Sequence, residues 1–431
     1  MSVHVRKKRR MDPASFDLVV VGCGGGHDET NLSAYLVKPR DKPWSDGILG
    51  LEAGSGYGAL KQLLSTHPHL FASLFKSRPH STIDKAHTVY SHLRAYLISH
   101  AHLDHCASLI ISSGSLPGPT RHILGTQSVL DDLERCIWRP GRCWPRIVGW
   151  DPSSSNTAGG ILRALKLAPN TDTLGDRDDE YAPIGAGLDD LLVRVVPLSH
   201  GCAYTSSGFF IRHARTRHEF LFFGDVEADP VLPCPPRPLL FPIWTHTAHL
   251  FTSNRLRTLL IECSYPAGRP ESQLFGHLSV EGLRKEMNVL AGEVIKLRPR
   301  VVEIEEGTVK LRTARRPLKR KASSDLAHPR TRSLAKSHTP SLPGPLTGLR
   351  VIVTHCKEPP PGFDLQGAPS IADYIVKQLK YGTASLGPDE TGVEYVAAHQ
   401  GDEFGEWKVL FWTGLGYKYV WPHGSAWLER V

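Results

Sequence analysis

The hydrophobic pattern of the chain consists mainly of short apolar runs that stop at glycine, proline or a polar residue. Runs of this kind, rich in valine, leucine, isoleucine and phenylalanine, predict buried β-strands. Between several of them, apolar residues recur every three or four positions, which predicts helices over 57–76, 103–113 and 279–291. Strands with helices between them predict an α/β protein.

The N-terminal pattern predicts a β-hairpin. FDLVVVG (16–22) and SAYLVKP (33–39) read as strands, with the glycine-rich GCGGGHDETN (22–31) between them. A dinucleotide-binding loop that starts at the first of these glycines would need its third glycine where His27 stands. We therefore predict a turn within a hairpin, with a phosphate-binding loop as the alternative.

Five apolar runs share one property, because each stops at an ionisable side chain. Strands of α/β proteins gather functional groups at one edge of a sheet, so several such ends predict a site at that edge. A further short strand stops at Glu52. The five runs are RAYLIS before His100, LLVRVVPLS before His200, EFLFFG before Asp225, RTLLI before Glu262 and LRVIVT before His355.

The segment HAHLDH (100–105) concentrates four candidate metal ligands. His100 and His102 share one side of an extended chain, and Asp104 and His105 follow where a helix begins. Four such groups are costly to bury unless a cation compensates them. We therefore predict that this segment faces two metal ions. The strand ends elsewhere are expected to supply the remaining ligands, namely His200, Asp225 and His355.

Two divalent ions about 3.5–4 Å apart could share a hydroxide, acidify it and neutralise a phosphodiester. A carboxylate such as Asp225 can bridge two cations, whereas a neutral imidazole cannot. Mixed histidine and aspartate ligation favours zinc, with manganese or iron as alternatives, and disfavours magnesium and calcium.

The other histidines and the cysteines are interpreted as structural residues, His122, His246 and His249 among them. The eight cysteines form no CxxC pair and suggest no disulfide framework, which predicts a reducing, intracellular compartment. Three of them lie beside candidate ligands. They are read as small packing residues, with thiolate ligation as the alternative, and are Cys106, Cys202 and Cys356.

The net charge of +8 resides in two segments. Residues 6–10 (RKKRR) carry +5, and residues 307–346 carry ten basic residues against one acid, so the remainder is acidic. We therefore expect no nucleic-acid surface on the folded body. The sequence shows neither an apolar run of about 18 residues nor a secretory signal, which predicts no membrane span and no export.

Composition also predicts the domain organisation. Residues 1–15 read as a disordered basic arm, and 307–346, rich in proline, serine and charge, as a disordered basic insertion. A loop insertion is expected over 150–190, where serine, asparagine, glycine and aspartate dominate. We predict one catalytic domain built from 16–306 and 347–431.

Six segments together carry a resemblance to a known family. HxHxDH is the signature of the metallo-β-lactamase superfamily, and its combination with FGHLS is more specific. Together the segments resemble the class II 3′,5′-cyclic-nucleotide phosphodiesterases, which are common in fungi. They are VGCGGGHDETNLSAYLV (21–37), LEAGSG (51–56), SHAHLDHCASLIISS (99–113), LLIECSYPAGRPESQLFGHLSVEGL (259–283), LRVIVTHCK (349–357) and GVEYVAAHQGDEF (392–404).

The resemblance implies a metallo-β-lactamase-like αβ/βα sandwich, in which two mixed β-sheets are flanked by helices, with disordered insertions. It also implies that a hydroxide between two metal ions hydrolyses cyclic AMP, and often cyclic GMP, to nucleoside 5′-monophosphates. His277 would stand beside the leaving group and Glu262 would orient it, with Asp104 counted as catalytic as well as ligating. One ion would be bound by His100, His102 and His200 and the other by Asp104, His105 and His355, with Asp225 bridging them.

The sequence departs from the family pattern at three positions. Glu52 stands where aspartate is usual, Cys106 where an aliphatic residue is usual, and Gly114 where alanine or proline is usual. None of these changes removes a ligand, so they put only tuning and rate in question. His277 has an alternative interpretation as a structural neighbour of the next helix, which Ser279 would cap.

The basic segments leave other roles open. RKKRR (6–10) and RRPLKRK (315–321) resemble nuclear-import signals but are equally typical of solvated charge. RKAS resembles a basophilic-kinase site at Ser323, where phosphorylation would add negative charge to a positive segment. We expect a cytoplasmic enzyme, with nuclear entry and a homodimer left open.

Two alternative functions remain at this stage. A transfer-RNA 3′-end nuclease shares HxHxDH, but its RNA-binding arm could come only from 307–346. A non-enzymatic nuclear binding protein on the same fold is the second alternative, although all seven ligand positions are filled.

Overall fold

The structure is a computed structural model. It describes residues 15–75, 80–115, 117–139, 143, 148–150, 162–169, 174–201, 204–230, 238–298, 344–405, 411–413 and 416–418. Nearly all of the predicted basic arm and of the predicted basic insertion, together with Cys202 and Ser323, lie outside the described residues.

Within these residues, fifteen strands form two sheets, and two short strands pair with each other. The strands are β1 (Phe16–Gly22), β2 (Ala34–Pro39), β3 (Ile48–Leu51), β4 (Leu93–Leu97), β5 (Arg121–Gly125), β6 (Val148–Gly149), β7 (Leu162–Lys166), β8 (Ala182–Pro183), β9 (Leu191–Ser199), β10 (Thr205–His213), β11 (Glu219–Phe223), β12 (Leu256–Glu262), β13 (Arg350–Thr354), β14 (Glu394–Ala397), β15 (Glu403–Phe404), β16 (Phe411–Thr413) and β17 (Gly416–Lys418).

Seven α-helices connect and cover the strands. They are α1 (Tyr57–Thr66), α2 (Thr82–His92), α3 (Leu103–Ser112), α4 (Gln127–Leu133), α5 (Leu240–Thr252), α6 (Val280–Leu297) and α7 (Ile371–Tyr381). Single turns of 3₁₀-helix lie at Trp44–Asp46, Ala72–Leu74, Asp178–Glu180 and Glu271–Gln273, and a π-helical turn lies at Glu134–Trp138.

Both sheets are mixed. The first has the order β15-β1-β2-β3-β4-β5-β7-β6, with β1, β2 and β3 antiparallel and β3, β4, β5 and β7 parallel. The second has the order β14-β13-β12-β11-β10-β9-β8, with β11 to β14 parallel and β9 to β11 antiparallel. The predicted hairpin is confirmed, since β1 and β2 pair antiparallel from Phe16 opposite Pro39 onwards.

The core has three apolar layers, which explains why the strands read as continuous apolar runs. A middle layer packs the two sheets face to face and includes Val20 and Leu97 of the first sheet and Phe209 and Leu260 of the second. An outer layer packs the first sheet against α1 to α4, and the other packs the second sheet against α5 to α7. This arrangement is the predicted αβ/βα sandwich of the metallo-β-lactamase type.

Two local predictions differ from the structure. The helix predicted over 57–76 ends at Thr66, because Pro68 disfavours helical backbone at the preceding residue. The stretch 150–190, expected as a loop insertion, contains β7 and β8 in its described part, and both pair within the sheets. Burial of Leu162 and Ala164 against the first sheet's outer layer explains β7. No helix among the described residues is long and apolar enough to cross a membrane.

Candidate active site

The predicted functional groups meet where the ends of the two sheets lie together. Strand β4 of the first sheet ends shortly before His100, whereas β9, β11, β12 and β13 of the second sheet lead to the groups that follow them. The expectation of one edge of a single sheet is therefore corrected. Because the sheets pack face to face, the ends of strands from both of them converge on one place.

The HAHLDH segment changes from extended chain to helix within six residues. His102 is the N-cap residue of α3, with φ −66° and ψ 147°, and Asp104 and His105 lie in the first turn of that helix. An acidic side chain is favoured there because the helix N-terminus carries partial positive charge. His100 and His105 are buried, whereas His102 is exposed. The predicted turn from strand to helix is therefore confirmed.

The first candidate metal group comprises His100, His102, His200 and Asp225, whose ligand atoms all lie within 4.8 Å of one another. His102 Nδ1 lies 3.1 Å from His100 Nε2 and 3.4 Å from His200 Nε2. Three imidazole nitrogens that converge on one point have the arrangement of ligands around a divalent cation.

The second candidate group comprises Asp104, His105, Asp225 and His355, again with ligand atoms within 4.8 Å. His355 Nε2 lies 3.2 Å from both Asp104 Oδ2 and His105 Nε2. The chain thus brings together all seven residues that the sequence singled out as metal ligands, in two sets that share one carboxylate.

Asp225 lies between the two groups and is 2% exposed. Its Oδ2 is 3.6 Å from His100 Nε2 and 3.7 Å from His200 Nε2. Its Oδ1 is 3.3 Å from His105 Nε2 and 3.4 Å from His355 Nε2. Each carboxylate oxygen therefore faces a different group of histidines, which is the geometry of a bridging ligand.

The ring nitrogens that face away from the centre have partners that fix the orientation of each ring. Such partners hold a ligating imidazole in one tautomer and strengthen its binding of a metal. They are Ser99 Oγ for His100 at 2.9 Å, the Gly276 carbonyl for His200 at 2.8 Å and Ser264 Oγ for His355 at 3.2 Å.

Glu52 has the corresponding place behind His105. Its Oε1 lies 3.6 Å from His105 Nδ1, and both carboxylate oxygens accept from the Ser99 backbone N–H at 3.2 Å. The residue is buried and has a φ of 57°, a left-handed conformation that is uncommon outside glycine. The side chain thus ties the end of β3 to the segment that carries His100.

The electrostatics of the site demand positive charge at its centre. Burial opposes ionisation of Asp225, yet His355 and His105 hold the pKa of this carboxyl well below its usual range. Burial lowers the pKa of His100 well below its ordinary value, and His105 lowers it further. Burial also opposes the charge of His105, but Asp225 and Glu52 raise its pKa well above the ordinary value. Ionised carboxylates among buried imidazoles fit divalent cations.

His277 and Glu262 form a third group beside the second one. His277 Nδ1 lies 3.0 Å from Glu262 Oε1, and the two residues lie with His355 in a further candidate metal group. Glu262 is 1% exposed and also accepts from Val226 N at 2.7 Å and from Ser264 Oγ at 2.6 Å. Burial opposes the charge of His277, but Glu262 raises its pKa. Glu262 therefore lies where it can orient the His277 ring and favour its protonated form.

Sequence reasoning missed several residues that shape the site. A side chain at Gly25 would clash with His355, because its Cβ would lie 2.3 Å from His355 Nδ1. The glycine run therefore makes room for that histidine as well as forming a turn. Tyr204 stacks on His102, with ring centroids 4.6 Å apart and an angle of 13°. Ser264 was visible only as a small residue after Glu262. The glycine run was the one local signal, because close approach to glycine leaves no other trace in a sequence.

The residues read as structural that the structure describes take no part in the metal groups. Among the described residues, no cysteine belongs to a candidate metal group. Cys106 and Cys356 are buried, and the Cys106 thiol donates to the His102 carbonyl at 3.2 Å. His246 Nε2 is 3.3 Å from an Arg194 nitrogen, and His122 Nδ1 is 3.3 Å from the Ile184 carbonyl. Ser279 caps α6 by accepting from Gly282 N, as expected.

The chain is similar in sequence to curated relatives and in fold to a solved structure. A 3′,5′-cyclic-nucleotide phosphodiesterase of Schizosaccharomyces pombe is 29% identical over 294 residues, which cover 64% of this chain and 75% of the relative. A probable 3′,5′-cyclic-nucleotide phosphodiesterase of Yersinia pestis is 28% identical over 281 residues, covering 65% and 74%. The crystal structure of unliganded yeast PDE1 matches with a TM-score of 0.65 at 19% identity, over 90% of this chain and 99% of that one.

The family profile of the class-II cAMP phosphodiesterases matches residues 25–369. That range contains both sheets' site-bearing strands and all nine residues of the three groups. The chain therefore belongs to the class-II cAMP phosphodiesterases.

Proposed function

We propose that this protein hydrolyses the 3′,5′-cyclic phosphodiester of cyclic AMP, and of cyclic GMP, to the nucleoside 5′-monophosphate and thereby lowers cyclic-nucleotide signalling. Family membership supports the substrate class, and one relative from Dictyostelium discoideum is named a cAMP/cGMP phosphodiesterase. The observation that carries the reaction type is the carboxylate of Asp225, whose two oxygens face two separate histidine groups.

Two divalent ions would be held at this site, with zinc as the proposed metal and manganese or iron as alternatives. Bound there, they would neutralise the phosphate and acidify an attacking water molecule. One ion is assigned to His100, His102 and His200, the other to Asp104, His105 and His355, with Asp225 shared.

His277 is proposed as the general acid. Its Nδ1 is engaged by Glu262, which leaves Nε2 to donate a proton to the 3′ oxygen as the phosphorus–oxygen bond breaks. Glu262 would act as the positioning residue, because it is buried and fixed by three further donors. Asp104 would both ligate and orient, since it contacts His355 at 3.2 Å. The oxygen of one water molecule forms a bond to phosphorus, and the bond from phosphorus to the 3′ oxygen breaks. The 3′ oxygen receives a proton, so the overall reaction adds one water molecule to the diester.

We also propose that 16–306 and 347–431 form one catalytic domain. Strand β13 pairs with β12, and β15 pairs with β1, so segments on both sides of the insertion complete the two sheets. A cytoplasmic location, with nuclear import through the basic segments as the alternative, and kinase control at Ser323 are proposals from sequence alone. The oligomeric state stays open, with a homodimer as one candidate.

The test of the function is an assay of purified protein against cyclic AMP and cyclic GMP, with metal analysis on the same sample. We expect 5′-monophosphates from cyclic AMP and about two divalent ions per chain. Incubation with precursor transfer RNA tests the nuclease alternative. Cleavage of that RNA without hydrolysis of either cyclic nucleotide would contradict the proposal, as would a metal-free, inactive protein after supply of zinc.

A further inference from the structure

The loop that carries His277 contains a residue that neither backbone preference nor burial explains. The His277 N–H donates to the Leu274 carbonyl at 3.0 Å and closes a four-residue turn. Its two central residues, Phe275 and Gly276, have φ values of 52° and 83°. Positive φ at both central positions is the pattern of type I′ turns, where Asn-Gly is typical. Phenylalanine at the first central position is therefore strained.

The turn is fixed against the first metal group. The Gly276 carbonyl lies 2.8 Å from His200 Nδ1, from which it can accept a hydrogen bond. A Cβ on Gly276 would lie 2.4 Å from the Gly201 backbone nitrogen, so the turn and the His200 loop are in close contact. The turn that contains Phe275 thus lies against the candidate metal ligand His200 and leads directly to His277.

The Phe275 side chain is 68% exposed to solvent. Leu103, which lies between His102 and Asp104, is 63% exposed. Among the large apolar residues that the described chain leaves exposed, Phe275 is the aromatic one that directly neighbours the site in sequence. An apolar ring that is exposed to this extent, two residues before His277, contributes little burial to the fold. It can contribute contact area to a ligand that has a flat apolar part.

We propose that Phe275 is a specificity-determining residue whose ring stacks on the purine base of the cyclic nucleotide, while the phosphate occupies the two metal groups. This role rests on the proposed function. A 3′,5′-cyclic nucleotide has its phosphodiester at one end of the ribose and a planar base at the other, so it matches a polar cluster bordered by an aromatic ring. Every base has a π-face, so stacking accepts adenine and guanine alike. Leu103 offers additional apolar surface beside His102.

The test compares Phe275→Asn and Phe275→Tyr with a control, Tyr381→Ala, which removes another exposed aromatic ring at the end of α7. The substrates are cyclic AMP and its base-free analogue, 1-deoxyribose 3′,5′-cyclic phosphate. We expect the wild type to prefer cyclic AMP in kcat/KM by about tenfold or more. Phe275→Asn should lose this preference through a higher KM, whereas Phe275→Tyr and Tyr381→Ala should keep it.

The same variant separates a binding role from a structural one. Asn-Gly suits the turn better than Phe-Gly, so Phe275→Asn should raise the melting temperature while it weakens discrimination. An unchanged preference for cyclic AMP in Phe275→Asn would overturn the inference. A lower melting temperature with an equal loss on both substrates would also overturn it, and both results leave the proposed function intact. Cleavage of the base-free diester but not of cyclic AMP by the wild type would overturn the proposed function and this role together.

Discussion

Two buried polar clusters lie at opposite ends of β11, and they differ in what they leave unpaired. Glu219 begins the strand and Asp225 follows its end. At the Glu219 end, Arg212 is fully buried and donates to Glu219 at 2.9 Å, to Asp178 at 2.7 Å and to Asp176 at 2.8 Å. We call the groups around Glu219 the arginine cluster.

The arginine cluster is complete in itself. Tyr181 lies against both Arg194 and Arg212, with its ring centroid 4.4 and 3.6 Å from their guanidinium carbons, and donates its hydroxyl to Glu219 at 2.7 Å. Arg255 donates to the same carboxylate at 2.9 Å. Donors thus meet acceptors throughout, which is how a fold makes buried charge tolerable.

The cluster around Asp225 lacks this pairing. Five histidines of the two groups surround two carboxylates, with ring nitrogens 3.1 to 3.4 Å apart, and the side chains that approach Asp104 and Asp225 within 4 Å as potential ion pairs in the described chain are histidines. Where the ring nitrogens that face the centre are unprotonated, acceptors meet acceptors, and the arrangement becomes favourable when cations occupy it. A functional cluster therefore differs from a structural one in that its acceptors lack donors or cations within the protein. Neither burial nor charge content alone makes this distinction.

The largest effect is expected from Asp225→Asn. An amide has one acceptor oxygen and no charge, so it cannot bridge the two groups. We expect activity on cyclic AMP to fall to the uncatalysed background and metal content to fall to one ion per chain or fewer, measured by hydrolysis assays and elemental analysis. Asp364→Asn is the matched control, because the exposed Asp364 accepts from the Gln366 N–H through one oxygen, which asparagine also offers. Full metal occupancy in Asp225→Asn would show that Asp225 is not needed to hold the ions, and the contrast between its cluster and the arginine cluster would fail.

His277→Ala should slow the reaction while the metals stay bound. Removal of a positioned general acid costs about 10²- to 10⁴-fold in kcat. His277 lies in the third group, beside rather than within the two metal groups that share Asp225, so metal content should be retained. The control is His249→Ala, which removes an exposed histidine on α5. Loss of metal together with rate would reassign His277 as a ligand, and an unchanged kcat would remove its catalytic role.

Glu219→Gln should change stability and leave catalysis alone. Breaking one partner of a buried charge cluster costs about 3–5 kcal/mol of the free energy of unfolding, because Arg212 stays buried with its charge less well compensated. We expect lower midpoints in thermal and denaturant unfolding at unchanged metal content and kcat. Asp179→Asn is the control, since its side chain is 60% exposed, its partner Arg177 is 76% exposed, and such surface pairs contribute little. A loss of metal in Glu219→Gln would show that the two ends of β11 are coupled.

Much of this architecture could be predicted from the sequence. Continuous apolar runs predicted the strands before His100, His200 and Asp225, and the four-ligand segment HAHLDH predicted the strand-to-helix turn. The α1 helix ended earlier than its apolar spacing suggested because Pro68 outweighs that spacing locally. The assignment of the strand ends to two sheets depends on which strands pair, and no single apolar run carries that information.

The arginine cluster was not predicted, since Arg194 and Arg212 stand within apolar strands as single basic residues and their partners come from a distant loop. The backbone strain at Glu52 and Phe275 was equally hidden, because positive φ at a non-glycine residue is imposed by tertiary contacts. Sequence patterns therefore give the groups that a site contains more readily than the conformations that hold them.

The smallest effect is expected from substitution of His399, a histidine that is paired with carboxylates and belongs to neither metal group. Its Nε2 lies 3.0 Å from Asp373 and its Nδ1 3.6 Å from Asp402, and hydrogen bonding to Asp402 and Asp373 raises the pKa of His399 to about 9. Because the folded pKa exceeds the ordinary value of 6.5, the stabilisation is complete below pH 6.5 and is lost as pH rises through about 9. The side chain is 45% exposed, so solvent screening limits the contribution to about 1 kcal/mol or less.

Thermal unfolding of His399→Ala should therefore show a lower midpoint than the wild type at pH 6 and the same midpoint at pH 10, with the difference at pH 6 shrinking in high salt. An equal difference in midpoint between variant and wild type at pH 6 and pH 10 would mean that His399 stabilises the contact between α7 and β14 by packing. The arginine cluster alone would then show how the fold pairs buried charge without a metal.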